Sequence, residues 1–233
     1  MKKKSNQGVL PAAPYVVWSS LFIVIPLLII IFFSFTIKTD TGYKFSLENY
    51  EKLMNPNYFS VFGRSLLLAF QSTIACLIIG YPVAYLIANM NSKKRNFLIM
   101  LFIVPMWMNF LLRTYAWLPL LGKNGFINTI LANFGIGPLK LLYNDFAVLL
   151  GMVYNFLPFM ILPIYTVLVK MDTDLINAAS DLGATKSTIF RKIIFPLSMP
   201  GVISGITMVF MPAVSTFVIS RILGGGQYML LGN

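Results

Sequence analysis

Five long apolar runs, separated by short polar and basic segments, divide this chain. Residues 14–37 carry no charge and include LFIVIPLLIIIFFSF. Residues 65–90, SLLLAFQSTIACLIIGYPVAYLIANM, are equally free of charge. A third run begins at Asn96 and meets Arg113 after 17 residues; continuing it through TYAWLPLL puts Arg113 near one interface. The fourth, residues 146–169, lies between Asp145 and Lys170, and the fifth extends from about Pro200 to Ser220. A helix rising 1.5 Å per residue needs about 20 apolar residues to cover roughly 30 Å of hydrocarbon. The pattern therefore predicts an all-α, polytopic integral membrane protein with five spans. The first run follows MKKK, as in a secretory leader. Its apolar core is too long for one and no A-x-A-like site follows, so it reads as a retained helix.

Composition narrows the chemistry. Of 233 residues, 58% are hydrophobic and 11% charged, against about 25% charged in a soluble domain. Seven acids, no histidine and one cysteine leave little for acid–base, metal or disulfide chemistry, and no metal site is expected. Cys76 sits inside an apolar run and reads as a small buried residue. The net charge of +11 does not point to nucleic acid, because the basic residues cluster between the spans, where they set orientation.

Lys2, Lys3 and Lys4, the tight turn bearing Lys93, Lys94 and Arg95, and the loop with Lys170, Lys186, Arg191 and Lys192 fall on one side. The dense turn and the N-terminal triplet place that side, and the N-terminus, in the cytoplasm. The expected organisation is a cytoplasmic N-terminus over 1–13, a transmembrane domain over 14–220 with a cytoplasmic loop at 170–199, and an extracytoplasmic loop at 221–233. Pro26, Pro82, Pro105, Pro158, Pro163 and Pro212 fall within spans, where neighbours can satisfy the freed carbonyls. Gly80, Gly151, Gly201 and Gly205 allow close helix contact.

The cytoplasmic loop, KMDTDLINAASDLGATKSTIFRKIIFPL, reads as two short helices. Asp172 or Thr173 caps the first, whose Leu175, Ile176, Ala179 and Leu182 recur on one face. Gly183 ends it. Thr185 caps the second, with Ile189, Phe190, Ile193 and Ile194 along one side, and Pro196 begins a break or bend before the fifth span. From periodicity alone the pair is either a knob for another subunit or a loop packed on its own bundle.

The spacing resembles the EAA loop of the permease subunits of ATP-binding-cassette importers: E-A-A, three residues, G, nine residues, I, one residue, L-P. Here Asn177, Ala178, Ala179, Gly183, Ile193 and Phe195–Pro196 occupy those positions, with Asn177 in place of the glutamate and Phe195 in place of the leucine. RTYAWLPLLGKNGFIN and NYFSVFGRSL are similar to the spermidine/putrescine importer permeases. The resemblance implies a type I importer bundle with six core spans. The sixth is then expected to be missing from this chain; were 233 residues the native length, a helix-binding face would stay open to lipid. It implies a multi-pass bacterial cell membrane protein, docking of the loop on a dimeric cytoplasmic ATPase, a second, related permease subunit and an extracytoplasmic solute-binding protein.

No phosphate-binding G-x-x-x-x-G-K-[ST] occurs, so this subunit is not expected to be an enzyme or to bind a cofactor; ATP and Mg belong to the partner ATPase. A polyamine path suits aromatic faces and oxygen acceptors. By residue type Tyr81, Tyr85, Trp107, Tyr115, Tyr154 and Asn155 are candidates, and Asp145 either attracts cations or caps the fourth span. The alternatives are a permease for another small solute, a secondary transporter or channel, and a membrane enzyme, for which no catalytic constellation is visible.

Overall fold

The computed structural model describes residues 9–39, 42–54 and 56–226. The Lys2–Lys4 triplet and the end of the 221–233 loop lie outside them. The described residues form two compact units, one up to Ser60 and one from Val61 onward.

The first unit is led by one apolar rod: α1 (Val9–Ser19), a π-helical turn (Ser20–Val24) and α2 (Ile25–Ser34). Its stretch Pro14–Ser34 is long and apolar enough to span a bilayer. Its large side chains are about half exposed, as a lipid-facing helix requires. The π turn sits just before Pro26. Proline has no N–H and crowds the carbonyl four residues back, and one wider turn absorbs both faults. The rod leads into an antiparallel hairpin, β1 (Thr36–Thr39) with β2 (Gly42–Phe45), registered Thr36 to Phe45, and then α3 (Glu48–Leu53). Asn49 on α3 donates Nδ2 to the carbonyls of Phe33 (3.1 Å), Ser34 (3.3 Å) and Thr36 (3.1 Å), closing the C-terminal end of α2.

The second unit holds the bundle. Its elements are α4 (Pro56–Ala88, which begins in the first unit), α5 (Ser92–Met106), α6 (Phe110–Tyr115), α7 (Trp117–Leu121), α8 (Phe126–Asn133), α9 (Asp145–Val169), α10 (Thr173–Asp181), α11 (Lys186–Ile189), a π turn (Phe190–Ile194), α12 (Phe195–Ser215) and α13 (Val218–Leu223). The centre is the seam between α9 and α12. Met152, Met160, Ile161, Ile164 and Val209 are fully buried along it. Gly201 and Gly205 lie on the α12 side, where added Cβ atoms would meet the Pro163 carbonyl oxygen at 2.9 Å and the Met160 sulfur at 2.8 Å. These glycines let the two backbones approach, as small residues do in membranes. Cys76 is buried, with its sulfur 3.8 Å from the Val153 carbonyl.

Four helical stretches among the described residues are long and apolar enough to span, and a fifth arises if one bent pair counts as a single span. That pair corrects the expected third span. The axis does not continue straight through TYAWLPLL: α5 stops at Met106 and the chain bends by 97°. Asn109 is responsible, because its side chain accepts from Leu111 N (2.8 Å) and Leu112 N (3.4 Å) and starts a new helix. Arg113 thus lies on α6, 9% exposed, instead of at the tip of a span.

The fifth span also differs. Pro196 causes no break. A helix runs without interruption from Lys186 to Ser215, the π turn before Pro196 again taking up the missing donor. The rod ends at Ser215, not Ser220. Thr216 turns extended, and α13 returns Ile219 and Leu223 to full burial beside Gly151.

Candidate coupling site and exposed span face

The two-helix knob is built by caps the sequence encodes. Asp172 accepts from Asp174 N at 2.9 Å and starts α10. At the other end Gly183 adopts φ +79°, Gly183 N donates to Ser180 O (2.9 Å) and Ala184 N to Ala179 O (3.0 Å). This is the six-to-one and five-to-two pairing of a Schellman cap, which needs a left-handed residue at its centre. Thr185 then accepts from Thr188 N at 3.3 Å and opens α11.

Anchoring and exposure divide the knob. Ile189 and Ile194 are buried, and the Phe190 ring meets Tyr81 (5.9 Å, 88°) and Tyr85 (5.6 Å, 81°) edge to face. Tyr81 OH lies 2.9 Å from Ser198 Oγ. Because Ser198 donates its own proton to Phe195 O (2.8 Å), the tyrosine is the donor. The second helix is thereby fixed to α4. The single apolar face expected on α10 splits: Ile176 and Ala179 turn inward, while Leu175 is half exposed and Leu182 is 89% exposed. The short helix cannot carry all four on one face, since Leu182 lies at its cap, past the last turn. Asn177, Ala178 and Gly183 are also exposed, Ile193 is half-buried, and Pro196 is exposed as the second residue of α12. A groove of about 410 Å³ runs beside the knob between Thr166, Lys170, Leu175 and Leu197.

The path candidates do not gather in one place. Tyr81 is buried and Tyr85 half-buried, both holding the knob. Trp107 is exposed at the bend. Tyr115 is exposed at the opposite end of the bundle and borders a cavity of about 550 Å³ with Tyr143 and Arg221. Tyr154 is exposed and its ring packs edge-on to Trp117 at 5.4 Å. Asn155 is buried and donates to Gly151 O at 2.9 Å. Asp145 does not cap α9. Asn144 does, accepting from Ala147 N at 2.8 Å, and Asp145 in the first turn pairs with Arg64 of α4 at 2.6 Å. Asn144 has the extended backbone of an N-cap, and Asp145 is already the first helical residue, so the amide side chain caps.

A stripe on α12 was not evident from the spans alone. Pro200, Ile203, Ser204, Thr207, Met208, Met211 and Ser215 are all exposed at helical spacing. Ser204 donates to Pro200 O (2.8 Å) and Thr207 to Ile203 O (2.9 Å), so each hydroxyl is tolerated in an apolar span. Each oxygen keeps acceptor capacity. The signal was present in the polar Ser204, Thr207 and Ser215 interrupting an otherwise apolar span.

Comparison with known proteins shows where this chain belongs. The family described as binding-protein-dependent transport system inner membrane component matches residues 78–233. This chain belongs to that family. It is 41% identical over 221 residues to the spermidine/putrescine transport system permease protein PotB of Escherichia coli, covering 93% of this chain and 80% of that protein. PotB of Haemophilus influenzae is 39% identical, over 93% of this chain and 77% of its own length. The inner membrane ABC transporter permease protein YdcU of Escherichia coli is 30% identical over 79% of this chain and 64% of its own. The chain is thus a multi-pass permease subunit of an ATP-binding-cassette importer. Permeases of this kind work with an ATPase, a second permease and a solute-binding protein.

Proposed function

We propose that this permease forms half of the path by which a polyamine of the spermidine/putrescine class enters the cell, and that its knob takes up the movement of a cytoplasmic ATPase dimer. The observation that carries the coupling half is the fixed second helix combined with the protruding, 89% exposed Leu182. A leucine held in that position is a hydrophobic anchor for a separate surface, and the small, exposed Ala178 one turn before it lets that surface come close to the backbone. Because α11 continues into α12 without a break, a push on the knob passes along a rigid rod into the seam with α9. The N-terminus and the knob lie on the cytoplasmic side in this reading, in keeping with the Lys93–Arg95 turn at the same end.

The substrate half is supported by the relatives named for spermidine and putrescine and by the exposed α12 face. Ser204, Thr207 and Ser215 offer oxygens to ammonium N–H groups, and Met208 and Met211 suit the methylene linkers between them. Tyr154 adds an exposed aromatic face. The second, related permease supplies the facing wall. ATP and Mg act on the partner ATPase, and this subunit performs no chemistry of its own.

The test is uptake of labelled spermidine and putrescine by the assembled importer in proteoliposomes loaded with ATP. The expected result is ATP-dependent accumulation competed by unlabelled polyamine. Accumulation of another solute class that polyamines fail to compete would overturn the substrate assignment.

A further inference from the structure

Beneath the knob lies a cavity of about 160 Å³ that the transport reading does not use. Asn89 at the end of α4, Arg95 in the first turn of α5, Met171 after α9, Thr173 and Ile176 of α10, and Ile194 contribute to its wall. It therefore touches α4, α5, α9, α10 and the π turn before α12. With a water occupying about 30 Å³ of liquid volume, the space accommodates several waters or one phosphate group. The chemistry of the wall is one-sided. Arg95 is its charged member, no Asp or Glu lines it, and Arg95 Nε is buried without a hydrogen-bond acceptor among the described residues. Lys93 and Lys94 stand exposed beside it on the same turn. Arg95 is half-buried, and its Nε is the part withdrawn from solvent without an acceptor; an oxyanion in the adjoining space would meet that donor, and the guanidinium fork suits a phosphate.

We infer that this cavity takes the phosphate group of an anionic ligand, and that an anionic phospholipid of the adjacent leaflet supplies it. The site sits where the polar turn Asn89–Asn91 meets the ends of two spans, the depth of headgroups for helices of this length. Met171, Ile176 and Ile194 give the wall an apolar side, and Asn89 and Thr173 a polar one, which together suit the glycerol end of a lipid. Bound there, the phosphate ties Arg95 on α5 to the start of α10 and stiffens the knob against the bundle. The inference rests on the knob lying at the cytoplasmic leaflet, but not on the identity of the transported solute.

The experiment uses the assembled importer in nanodiscs of phosphatidylcholine, titrated with phosphatidylglycerol, with retained lipid read by native mass spectrometry and stability read by thermal midpoint. Phosphatidylglycerol is expected to be retained and to raise the midpoint of the wild type. Arg95→Gln should lower retention at least tenfold, Arg95→Lys should lower it less, and Lys94→Gln should leave it within twofold. Inorganic phosphate in lipid-neutral nanodiscs separates the sources. A rise in the wild-type midpoint that Arg95→Gln abolishes supports the site with the free anion as occupant. If wild type and Arg95→Gln retain phosphatidylglycerol equally, or neither lipid nor phosphate shifts the wild-type midpoint, the site is refuted. The wild-type titration stands even if a variant folds poorly, and neither readout depends on polyamine transport.

Discussion

Replacing Gly201 by alanine tests the seam on which the bundle depends. The added Cβ would lie 2.9 Å from the Pro163 carbonyl oxygen, 3.0 Å from Ile164 Cα and 3.0 Å from Val167 Cγ2. Non-bonded carbons settle at about 3.5–4.0 Å, and two of the three obstacles are backbone of α9. A rotamer change cannot relieve them, so α12 must move away by roughly 0.5–1 Å. A gap of that size forfeits about a quarter to a half of each van der Waals well. With roughly 20 heavy-atom contacts nearby at about 0.1–0.2 kcal/mol each, the loss is about 0.5–2 kcal/mol. This agrees with the about 1–3 kcal/mol seen for overpacked interiors, and it matters more here because apolar lipid gives no hydrophobic drive to re-form the contact. Unfolding in mild detergent under a denaturant titration is the assay. A Gly201→Ala variant as stable as wild type would refute the reasoning. So would full rescue by Val167→Ala, which removes the side-chain obstacle and leaves both backbone ones. Gly151→Ala is the contrast: the nearest atoms to its Cβ are all side-chain atoms of Leu223 and Ile219, so a rotamer change there can relieve part of the clash and the loss should be smaller than for Gly201→Ala.

Gly183 has φ +79°, and a Cβ added there would meet nothing within 4 Å, so Gly183→Val should strain the cap by about 1–2 kcal/mol without a clash. ATP-dependent uptake is expected to fall to background while membrane insertion is normal, with Gly183→Asn retaining most uptake; equal uptake by the valine and asparagine variants would contradict this. Tyr81→Phe removes the donor to Ser198 Oγ, but Ser198 still donates to Phe195 O, so a loss of about 1 kcal/mol is expected. A thermal denaturation shift equivalent to more than about 3 kcal/mol would show a role beyond that bond. Asp145→Asn removes a negative charge beside Arg64 on an exposed pair, 37% and 57% accessible, so stability should change by less than about 1 kcal/mol. Uptake at limiting polyamine should fall, more at low salt than at high; an unchanged half-saturating concentration at both would leave Asp145 as an ion-pair partner alone.

The legible parts of the fold were those set by local chemistry. Asp172, Gly183 and Thr185 each act within four residues of themselves, so the knob could be drawn from the sequence. Charge-free length revealed the spans for the same reason. Bends were harder. Pro196 and Pro26 each carry the same sequence signal as a break, yet a preceding π turn absorbs both, and nothing in the residue types announces it. Asn109 ends the third span because its side chain competes for two amides, a contest that apolar counting ignores. The anchoring of Phe190 between Tyr81 and Tyr85 joins residues about a hundred positions apart, beyond any local pattern. For that reason the packing of two aromatics chosen by type, Tyr81 and Tyr85, against the knob could not be foreseen, and the exposure of Ser204 and Thr207 was equally out of reach.

Engagement of an ATPase subunit by the exposed tip of the knob is what the proposed coupling requires. A photoreactive amino acid at Leu182, with a second variant at Ala178, in the assembled importer measures this directly. An adduct with the ATPase is expected, its yield changing between the nucleotide-free and ATP-bound states. Adducts confined to this chain's own bundle, from an importer that still contains the ATPase, would contradict it.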